Sequence, residues 1–490
     1  MAGPSGPGVC DRSCASAWYE PLRALNKSIA SDVSLIHMRN FLLISYHFPP
    51  HGGSGVQRAL KLAKYLPDSD WHAHVVCAAH QHYPVSDASL RDEIGPEASV
   101  YPTLGWDAGS LAARFGRQLG LVWKNREATH AWENRLYWRL ERWQGRLPLP
   151  EQELSWIPSA IARAREVARR FPIDAVVTTS PPNVSHYIGR HLKRRLGMPW
   201  IADLRDPIVD NFAGDPDAGL EQRFRRSIER MILHGADRVV VTCPELGDRL
   251  HERYADLPDT RIRMIPNGYD SADIQLVADE PADRDRFTMT YVGAFYRQQT
   301  IAPILDGLRL LRSERPDAAE KLRFRIVGTM SAPQRALLND DDAAFIKVVG
   351  YKPHAEAISE MSSADALVLT TPANEGGRYC IPAKTFEYFA FGRHIVAGVH
   401  RGTAVEDWLR RAGDCTIVAE PTAHAWKTAI ERAFDAWSNG TSEKPRDKAF
   451  VESFRRDRLA AQFAELLDGC VDGRPRLKIS HPSDAEEAAA

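Results

Sequence analysis

Short apolar runs alternate with stretches of helical period along most of the chain. Each run is too short for a helix, and most are rich in Val and Ile, which favour strands. Strands that alternate with helices predict βαβ units and a parallel sheet buried on both faces. The predicted strands form two series: Phe41–Tyr46, His74–Ala78, Ala175–Ser180, Trp200–Leu204 and Arg238–Thr242, then Met289–Gly293, Phe324–Gly328, Ile346–Tyr351, Ala366–Thr371 and His394–Val399.

A segment typical of a linker separates the two series. Ile265–Asp270 contains the Pro and Gly that end the first series, and a polar acidic stretch follows at Asp279–Asp285. We therefore predict an α/β protein with two doubly wound Rossmann-like domains, at 38–278 and 279–445. A ligand would lie in the central cleft, where the carboxyl ends of both sheets face each other.

Both ends of the chain stand outside this alternation. Residues 1–37 are rich in Ser, Gly, Pro and Ala without a period, so we expect a disordered leader and regard Met38 as a candidate start. A helical pattern over Lys448–Leu467 predicts a C-terminal helix within 446–470 that packs back on the N-terminal domain. Residues 471–490 are expected to be a disordered tail.

A block rich in Trp and Arg interrupts the first domain at about 106–147. Its aromatic and basic residues fit a helical period better than a strand period, and two interpretations follow. One is a basic, aromatic helix that contacts an anionic membrane surface or a lipid-linked acceptor. The other is a set of helices that pack Trp on the core and expose a basic face. The second is slightly favoured, because soluble helices show the same stripe.

Composition is that of an ordinary globular protein, and it narrows the class of partner. Hydrophobic residues make up 44%, charged residues 26%, and the formal net charge is −1. No global basic field favours nucleic acid, so an anionic ligand needs a local site. The seven cysteines show no paired metal spacing and are expected to be reduced thiols. The sequence shows neither a long apolar run nor a signal peptide, which favours a cytoplasmic location, including the inner face of the cytoplasmic membrane.

The first predicted strand leads into a glycine-rich turn that can hold an anion. Gly52, Gly53, Ser54 and Gly55 lie between this strand and a helix, where glycine lets the backbone approach a ligand closely. The helix N-terminus then offers unpaired N–H groups to a phosphate. The ending of a Walker loop is absent, and an ordinary turn is the alternative interpretation.

Six segments occur in an order that is more specific than any one of them. They are FLLISYHFPPHGGSGVQRALK from Phe41, TSPPNVSH from Thr179, PWIADLRDP from Pro199, IPNGYD from Ile265, YVG from Tyr291 and PAKTFEYFAFG from Pro382. This ordered set resembles bacterial glycosyltransferase family 4-like sugar transferases. The resemblance implies the GT-B fold, a nucleotide diphosphate sugar as donor and, usually, retention of the anomeric configuration without a metal.

Lys384 and Glu387 form the centre of the predicted donor site. Pro382 precedes a predicted helix whose N-terminus suits a diphosphate, and Lys384 adds a full positive charge there. Glu387 lies one turn further on the same face, where its carboxylate can accept a hydrogen bond from each of the two vicinal hydroxyls of a ribose. The resemblance gives Glu387 this role. The alternative is an exposed Lys–Glu pair, which the flanking Gly376 and Gly377 disfavour.

The contact with the donor sugar departs from the family pattern. Tyr379 stands eight positions before Glu387, where many family members have a second glutamate that meets the sugar. Glu375, beside Gly376 and Gly377, could replace it only if this loop is rebuilt. The sugar itself is therefore left open.

The resemblance adds three residues around the nucleotide. Arg297 would be a second cation for the diphosphate, although its spacing is not the common one and a surface arginine is the alternative. Tyr351 and Lys352 match the region where the backbone of family members contacts the base of the nucleotide.

Three polar residues that follow strands of the first domain are candidates for catalysis. His186 could hydrogen-bond an acceptor hydroxyl or the donor sugar, or it could be structural. Asp206 could position or deprotonate the acceptor hydroxyl, with Arg205 beside it. An internal Arg–Asp pair that shapes the loop is an equal alternative.

Together with this resemblance, the sequence predicts a glycosyltransferase of hexosyltransferase type, and the resemblance implies that it retains the anomeric configuration. It would move a sugar to the hydroxyl of a saccharide or lipid-linked acceptor in surface polysaccharide or glycolipid biosynthesis. No cofactor, metal or nucleic-acid partner is expected, and the Asp-x-Asp pattern at Asn339–Asp342 is interpreted as a solvated loop. The alternatives are a sugar-nucleotide epimerase of the same fold and a non-catalytic donor-binding scaffold.

Overall fold

The structure, a computed structural model, describes most of the chain. The described residues are 38–79, 86–104, 151–212, 219–275, 285–295, 299–418, 420–441 and 447–472. The predicted leader at 1–37, the Trp- and Arg-rich block at 106–147, Arg297 and the tail from 473 onwards lie outside them.

The described strands belong to two parallel sheets. They are β1 (Arg39–Ser45), β2 (Trp71–Ala78), β3 (Ala98–Thr103), β4 (Ile173–Ser180), β5 (Trp200–Leu204), β6 (Arg238–Val241), β7 (Ile262–Met264), β8 (Phe287–Val292), β9 (Leu322–Val327), β10 (Ile346–Gly350), β11 (Ala366–Thr370), β12 (His394–Gly398) and β13 (Cys415–Val418). The first sheet has the order β3-β2-β1-β4-β5-β6-β7, and the second has the order β10-β9-β8-β11-β12-β13. Each of the ten predicted strands overlaps an observed strand.

Helices connect the strands and cover the sheets. They are α1 (Ser54–Tyr65), α2 (Ile157–Arg170), α3 (Val184–Leu196), α4 (Gly219–Gly235), α5 (Pro244–Arg253), α6 (Ser271–Gln275), α7 (Ala302–Glu314), α8 (Pro316–Lys321), α9 (Ala332–Arg335), α10 (His354–Ser362), α11 (Lys384–Phe391), α12 (Ala404–Ala412), α13 (Ala423–Ser438), α14 (Lys448–Glu452) and α15 (Arg456–Val471). Within the described ranges, no helix combines the length and apolarity needed to cross a bilayer.

The order of the strands determines where a ligand can lie. In each sheet the connections reverse direction at one point, between β1 and β4 in the first and between β8 and β11 in the second. At such a point the loops that follow the two strands diverge and leave a crevice outside the carboxyl ends. The glycine-rich turn follows β1, and the segment that leads to Lys384 follows β11.

The C-terminal segment returns from the second domain to the first. Leu459, Phe463 and Leu467 of α15 are buried in one apolar cluster with residues of α1 and β1. Arg39 at the start of β1 also pairs with Asp468, at 2.7 Å between Nη1 and Oδ1.

The single helix predicted over Lys448–Leu467 is divided into α14 and α15. Between them, Phe454 accepts a hydrogen bond from the backbone N–H of Tyr269, and Arg456 N–H donates to the Tyr269 carbonyl at 2.9 Å. A Cβ at Gly268 would lie 2.1 Å from the Phe454 carbonyl oxygen, so only glycine permits this approach. The break exists because these backbone groups bond to the linker segment instead of continuing a helix.

Candidate active site

Two glycines shape the carboxyl end of the second sheet. Gly293 follows β8 with φ of 136°, and Gly328 follows β9 with φ of 138°, in a region that side chains rarely adopt. A Cβ at Gly328 would lie 1.8 Å from the Gly293 carbonyl oxygen, and a Cβ at Gly293 would lie 3.2 Å from Lys384 Nζ. Because glycine has no side chain at these two positions, the end of β8 can lie directly against Lys384.

Lys384 begins α11, as the sequence predicts, and its ammonium group lies over an aromatic ring. Nζ is 3.5 Å from the centroid of the Tyr291 ring. Burial lowers the pKa of Lys384 to about 7, while Glu387 opposes the shift. A cation that has lost much of its hydration at a helix N-terminus is well prepared to bind an anion.

Glu387 lies in a half-enclosed position next to the first residue of α10. Its side chain is 17% exposed, and Oε1 is 3.8 Å from His354 Nε2. Burial raises the pKa of Glu387, while His354 opposes the rise. His354 Nε2 also lies 3.3 Å from Asp273 Oδ2 of α6. His354 therefore connects Glu387 to α6, in the segment between the domains.

The two residues predicted beside the base follow β10 and precede α10. The Tyr351 side chain is exposed at 39%, which leaves an aromatic surface at the rim of the site. Lys352 Nζ lies 2.6 Å from Glu356 Oε2 on the exposed side of α10. The structure thus places Tyr351, Lys352 and His354 in one short segment near Glu387.

In the first domain, Arg205 joins the two loops on either side of the crevice. Its guanidinium donates to the carbonyls of Gly55, Ser180 and Pro181. Gly53, with φ of 87°, precedes α1, and Gly53 and Ser54 are exposed at the N-terminus of this helix. Arg205 therefore acts on the backbone of the glycine-rich turn and of the loop after β4.

Asp206 faces the second domain. Its Oδ1 lies 4.0 Å from Sγ of Cys380, four residues before Lys384. Burial raises the pKa of Asp206, Arg205 opposes the rise, and Asp203 adds to it. The structure thus brings this candidate for the acceptor side close to the loop that leads to Lys384.

His186 lies in the core of the first domain. It is fully buried, and Nδ1 is 2.7 Å from Oγ1 of Thr178, which also accepts a hydrogen bond from Trp200. Burial lowers the pKa of His186 to about 3, which keeps the imidazole neutral. In this arrangement His186 does not reach the cleft, and the structural interpretation is the one that its surroundings favour.

The loop predicted to contact the donor sugar forms a 3₁₀ turn over Glu375–Tyr379. The Glu375 side chain is 88% exposed, and its nearest charged partner is Arg378 at 4.0 Å. Gly376 and Gly377 lie against backbone, since a Cβ would come within 2.6 Å of Phe212 and 2.0 Å of the Pro372 carbonyl oxygen, respectively. Tyr379 is half-buried and its carbonyl accepts a hydrogen bond from Cys243. The loop therefore contacts the first domain, while Glu375 is directed to solvent.

Two family profiles match successive parts of the chain. The glycosyl transferase 4-like domain matches residues 52–268, and the glycosyl transferases group 1 domain matches residues 286–436. The chain belongs to the glycosyltransferases that combine these two domains. The family predicted from the ordered motifs is thereby confirmed.

Solved structures resemble this glycosyltransferase over most of its length. Sucrose-phosphate synthase from Thermosynechococcus elongatus is 17% identical, with a TM-score of 0.60 over 89% of this chain and 100% of that chain. HepE from Anabaena, in complex with UDP and glucose, is 13% identical, with a TM-score of 0.57 over 88% and 100%. A UDP-forming α,α-trehalose-phosphate synthase from Burkholderia xenovorans, in complex with glucose-6-phosphate, is 10% identical, with a TM-score of 0.55 over 88% and 100%.

These likenesses show the fold, which is GT-B with two Rossmann-like domains, as predicted. A comparison with curated proteins finds no match.

The glycosyltransferase also contains a charge cluster, with Lys61 and Asp270 buried and the other members half-buried, that the sequence did not reveal. Lys61 of α1 pairs with Glu93, with Asp270 at 2.7 Å and with Asp273 at 3.1 Å. Among the described residues, these three carboxylates lie close enough together to hold a metal ion. The Lys61 ammonium already lies among them and supplies the positive charge.

One predicted loop is only partly solvated. Asp342 is buried, accepts from Arg309 at 2.6 Å and forms a capping box with Asn339. The interpretation of Asn339–Asp342 as a solvated loop is therefore wrong for Asp342, because a carboxylate at the start of a helical turn satisfies backbone N–H groups.

Gly376→Ala should slow sugar transfer at least tenfold with little loss of stability. The added Cβ would meet the backbone of Phe212 at 2.6 Å, which the second domain can relieve by moving away from the first. Turnover and the radius of gyration by small-angle scattering measure this, with Gly469→Ala as the control because a Cβ there meets nothing within 4 Å. Unchanged turnover in Gly376→Ala would show that this contact does not limit closure.

Proposed function

We propose that this glycosyltransferase uses a nucleotide diphosphate sugar as donor and transfers the sugar, with retention, to an acceptor hydroxyl. The observation that carries the proposal is the placement of Lys384 at the start of α11, against Gly293 and the Tyr291 ring. This arrangement offers a poorly hydrated cation and a helix N-terminus to the same anion.

In the proposed donor complex, each part of the nucleotide has its own contact. The diphosphate lies against Lys384 and the N-terminus of α11. Glu387 accepts hydrogen bonds from the ribose hydroxyls, because its carboxylate is half-enclosed and lies one helical turn after Lys384. Tyr351 stacks on the base, for which its exposed ring is suited.

The proposed reaction proceeds on one face of the sugar. The acceptor oxygen forms a bond to the anomeric carbon as the bond to the diphosphate breaks, and a phosphate oxygen takes the hydroxyl proton. Asp206 orients the acceptor, since it faces Cys380 and the approach to Lys384. Lys384 and the helix N-terminus stabilise the charge that develops on the diphosphate, so we propose transfer without a metal or cofactor.

Uridine nucleotide sugars are the first donors to test, because HepE is described with UDP and glucose, and the trehalose-phosphate synthase as UDP-forming. For the acceptor we propose a saccharide or lipid-linked sugar of surface polysaccharide or glycolipid synthesis, reached at the inner face of the cytoplasmic membrane. The basic, aromatic sequence of residues 106–147 supports that location, because such a sequence suits an anionic membrane surface.

The test is incubation of the full chain with UDP-sugars, with and without a panel of acceptors. Transfer predicts acceptor-dependent release of nucleoside diphosphate and a glycosylated product whose anomeric configuration is read by NMR. An epimerised donor without acceptor would favour the epimerase alternative, and donor binding without release in any mixture would favour the scaffold.

Glu387→Gln should weaken donor binding about 10- to 100-fold, because hydrogen bonds to a charged acceptor contribute about 1.5–3 kcal/mol. The ionised carboxylate is the form that binds, so affinity in the parent should fall as pH drops through the raised pKa of Glu387. Titration calorimetry from pH 5 to 8 measures this, with the exposed Glu320→Gln as control. Equal affinity and an unchanged pH profile in Glu387→Gln would contradict the assignment.

A further inference from the structure

Two cysteine thiols, one from each domain, each contact a residue of the other domain. Cys243 is the residue before α5 in the first domain, and its thiol donates to the Tyr379 carbonyl at 3.3 Å. Cys380 directly follows Tyr379 in the second domain, and its Sγ lies 4.0 Å from Asp206 Oδ1. Both cysteines are free.

The backbone geometry places Cys380 within reach of Cys243. In a trans peptide, a carbonyl oxygen and the following Cα are about 2.8 Å apart. The Cα of Cys380 therefore lies within about 6 Å of the Cys243 sulfur, on a loop that already contacts the first domain. Since Sγ and Cα of one cysteine are about 2.8 Å apart, the two Cα atoms lie within about 9 Å of each other, whereas a disulfide needs about 4.4–6.8 Å. A movement of this loop by at most about 2 Å toward the first domain brings the Cα atoms into that range.

We infer that Cys243 and Cys380 form an oxidation-sensitive pair whose disulfide locks the two domains in the closed arrangement. The oxidant we assign is a small-molecule disulfide such as oxidised glutathione. The Cys380 thiolate attacks it, forms a mixed disulfide and releases one thiol. The Cys243 thiolate then attacks the Cys380 sulfur, forms the inter-domain bond and releases the second thiol. Two protein thiols are oxidised and one disulfide is reduced to two thiols.

The order of these steps follows from exposure. Cys380 is partly exposed, whereas Cys243 is fully buried against the Tyr379 carbonyl. A reagent in solvent therefore meets Cys380 first, and Cys243 acts as the resolving thiol when the domains close.

The surroundings make the reduced pair slow to react at neutral pH. Burial raises the pKa of Cys243 to about 12, and burial together with Asp206 and Cys243 raises the pKa of Cys380 well above its ordinary value. Since the thiolate is the nucleophile, the rate of cross-linking should rise about tenfold per pH unit between pH 7 and 9.

The effect on turnover rests on the proposed function, but the cross-link itself does not. A bond between Cys243 and Cys380 fixes the loop four residues before Lys384 and prevents the cleft from opening. Donor exchange requires that opening, so we expect oxidised protein to lose more than nine-tenths of its transfer rate and to regain it with dithiothreitol.

The experiment treats the full chain with oxidised glutathione at pH 7, 8 and 9 and maps peptides by mass spectrometry without reduction. We expect a linked Cys243–Cys380 peptide pair, which Cys243→Ser and Cys380→Ser each abolish. Cys415→Ser is the matched control, because Cys415 is a partly buried cysteine of the second domain whose thiol also donates to a backbone carbonyl, that of Leu409, at 3.3 Å. This variant should form the link as the parent does.

Two outcomes overturn the inference. One is the absence of the linked peptide at pH 9, where the thiolates are most abundant. The other is a linked protein whose scattering curve and domain mobility match those of the reduced protein. A linked, immobile protein without measurable transfer before oxidation would leave the inference intact and contradict the proposed function instead.

Discussion

Lys384→Ala should lower kcat/KM for the donor by on the order of 10²- to 10³-fold. One preorganised group that stabilises charge in a transition state contributes about this much. Lys384 adds its full charge to the N-terminus of α11, and the desolvation that places it over Tyr291 strengthens its attraction to an anion. Steady-state kinetics with varied donor measure the loss, which should appear in kcat as well as in KM because the charge on the diphosphate grows as the bond breaks.

Lys347→Ala is the matched control, since Lys347 is an exposed lysine of β10 in the same domain. It should leave kcat/KM within about twofold of the parent. If Lys384→Ala raises KM and leaves kcat unchanged, Lys384 binds donor and transition state equally, and the proposed role in leaving-group stabilisation is wrong.

The pKa of Lys384 gives this prediction a pH signature. In the free protein the ammonium is mostly charged below about pH 7 and mostly neutral above it. The diphosphate favours the charged form, so above pH 7 binding must take up a proton, and the apparent Kd should rise up to tenfold per pH unit. A nucleotide sugar is the right ligand, because it lacks the terminal phosphate that titrates near pH 6 in a nucleoside diphosphate. Lys384→Met should remove this alkaline dependence.

Arg58→Met should lower the free energy of unfolding by about 3–5 kcal/mol, because it leaves a buried carboxylate without its cation. The Arg58 and Asp203 side chains are 4% and 0% exposed, with Nη2 and Oδ1 2.8 Å apart. Arg58 also donates to the carbonyls of Ile265 and Pro266, which lie just before the linker. Urea unfolding followed by circular dichroism measures the loss.

A surface pair provides the control for this effect. Arg163 and Glu166 lie one turn apart on α2, are about one-third exposed and come within 2.6 Å. Arg163→Met should cost less than about 1 kcal/mol. The double variant Arg58→Met with Asp203→Leu should recover part of the stability lost in Arg58→Met, because neither charge is then left unpaired. A loss in Arg58→Met no larger than that in Arg163→Met would mean that water reaches the pair.

The strands that the sequence missed share a position. β3, β7 and β13 are edge strands of their sheets, and β7 has only three residues with two exposed. An edge strand buries less of its surface, so its sequence lacks the continuous apolar run that marks a central strand. Pro102 within β3 further weakens the pattern and is tolerated because edge strands leave one side of the ladder unpaired.

The candidate site also contains some relations that the local sequence predicts and others that only the fold creates. Pro382, Lys384 and Glu387 lie within six residues, so helix periodicity alone predicts their relation to each other. Their neighbours Tyr291 and His354 come from other strands and loops, and Asp206 and Cys380 meet only because the two domains close. No local pattern marks such pairs.

The sequence by itself determined two parallel sheets, their approximate strands, the family and the helix that begins at Lys384, because each depends on short-range periodicity and ordered local motifs. Only the tertiary structure decided that His186 is a core residue, that Glu375 points to solvent and that Lys61 lies among three carboxylates. Only it decided that the Cys243 thiol contacts Tyr379 and the Cys380 thiol contacts Asp206, each across the two domains. The physical reason is that burial, charge pairing and desolvation depend on residues far apart in the chain, which the fold alone brings together.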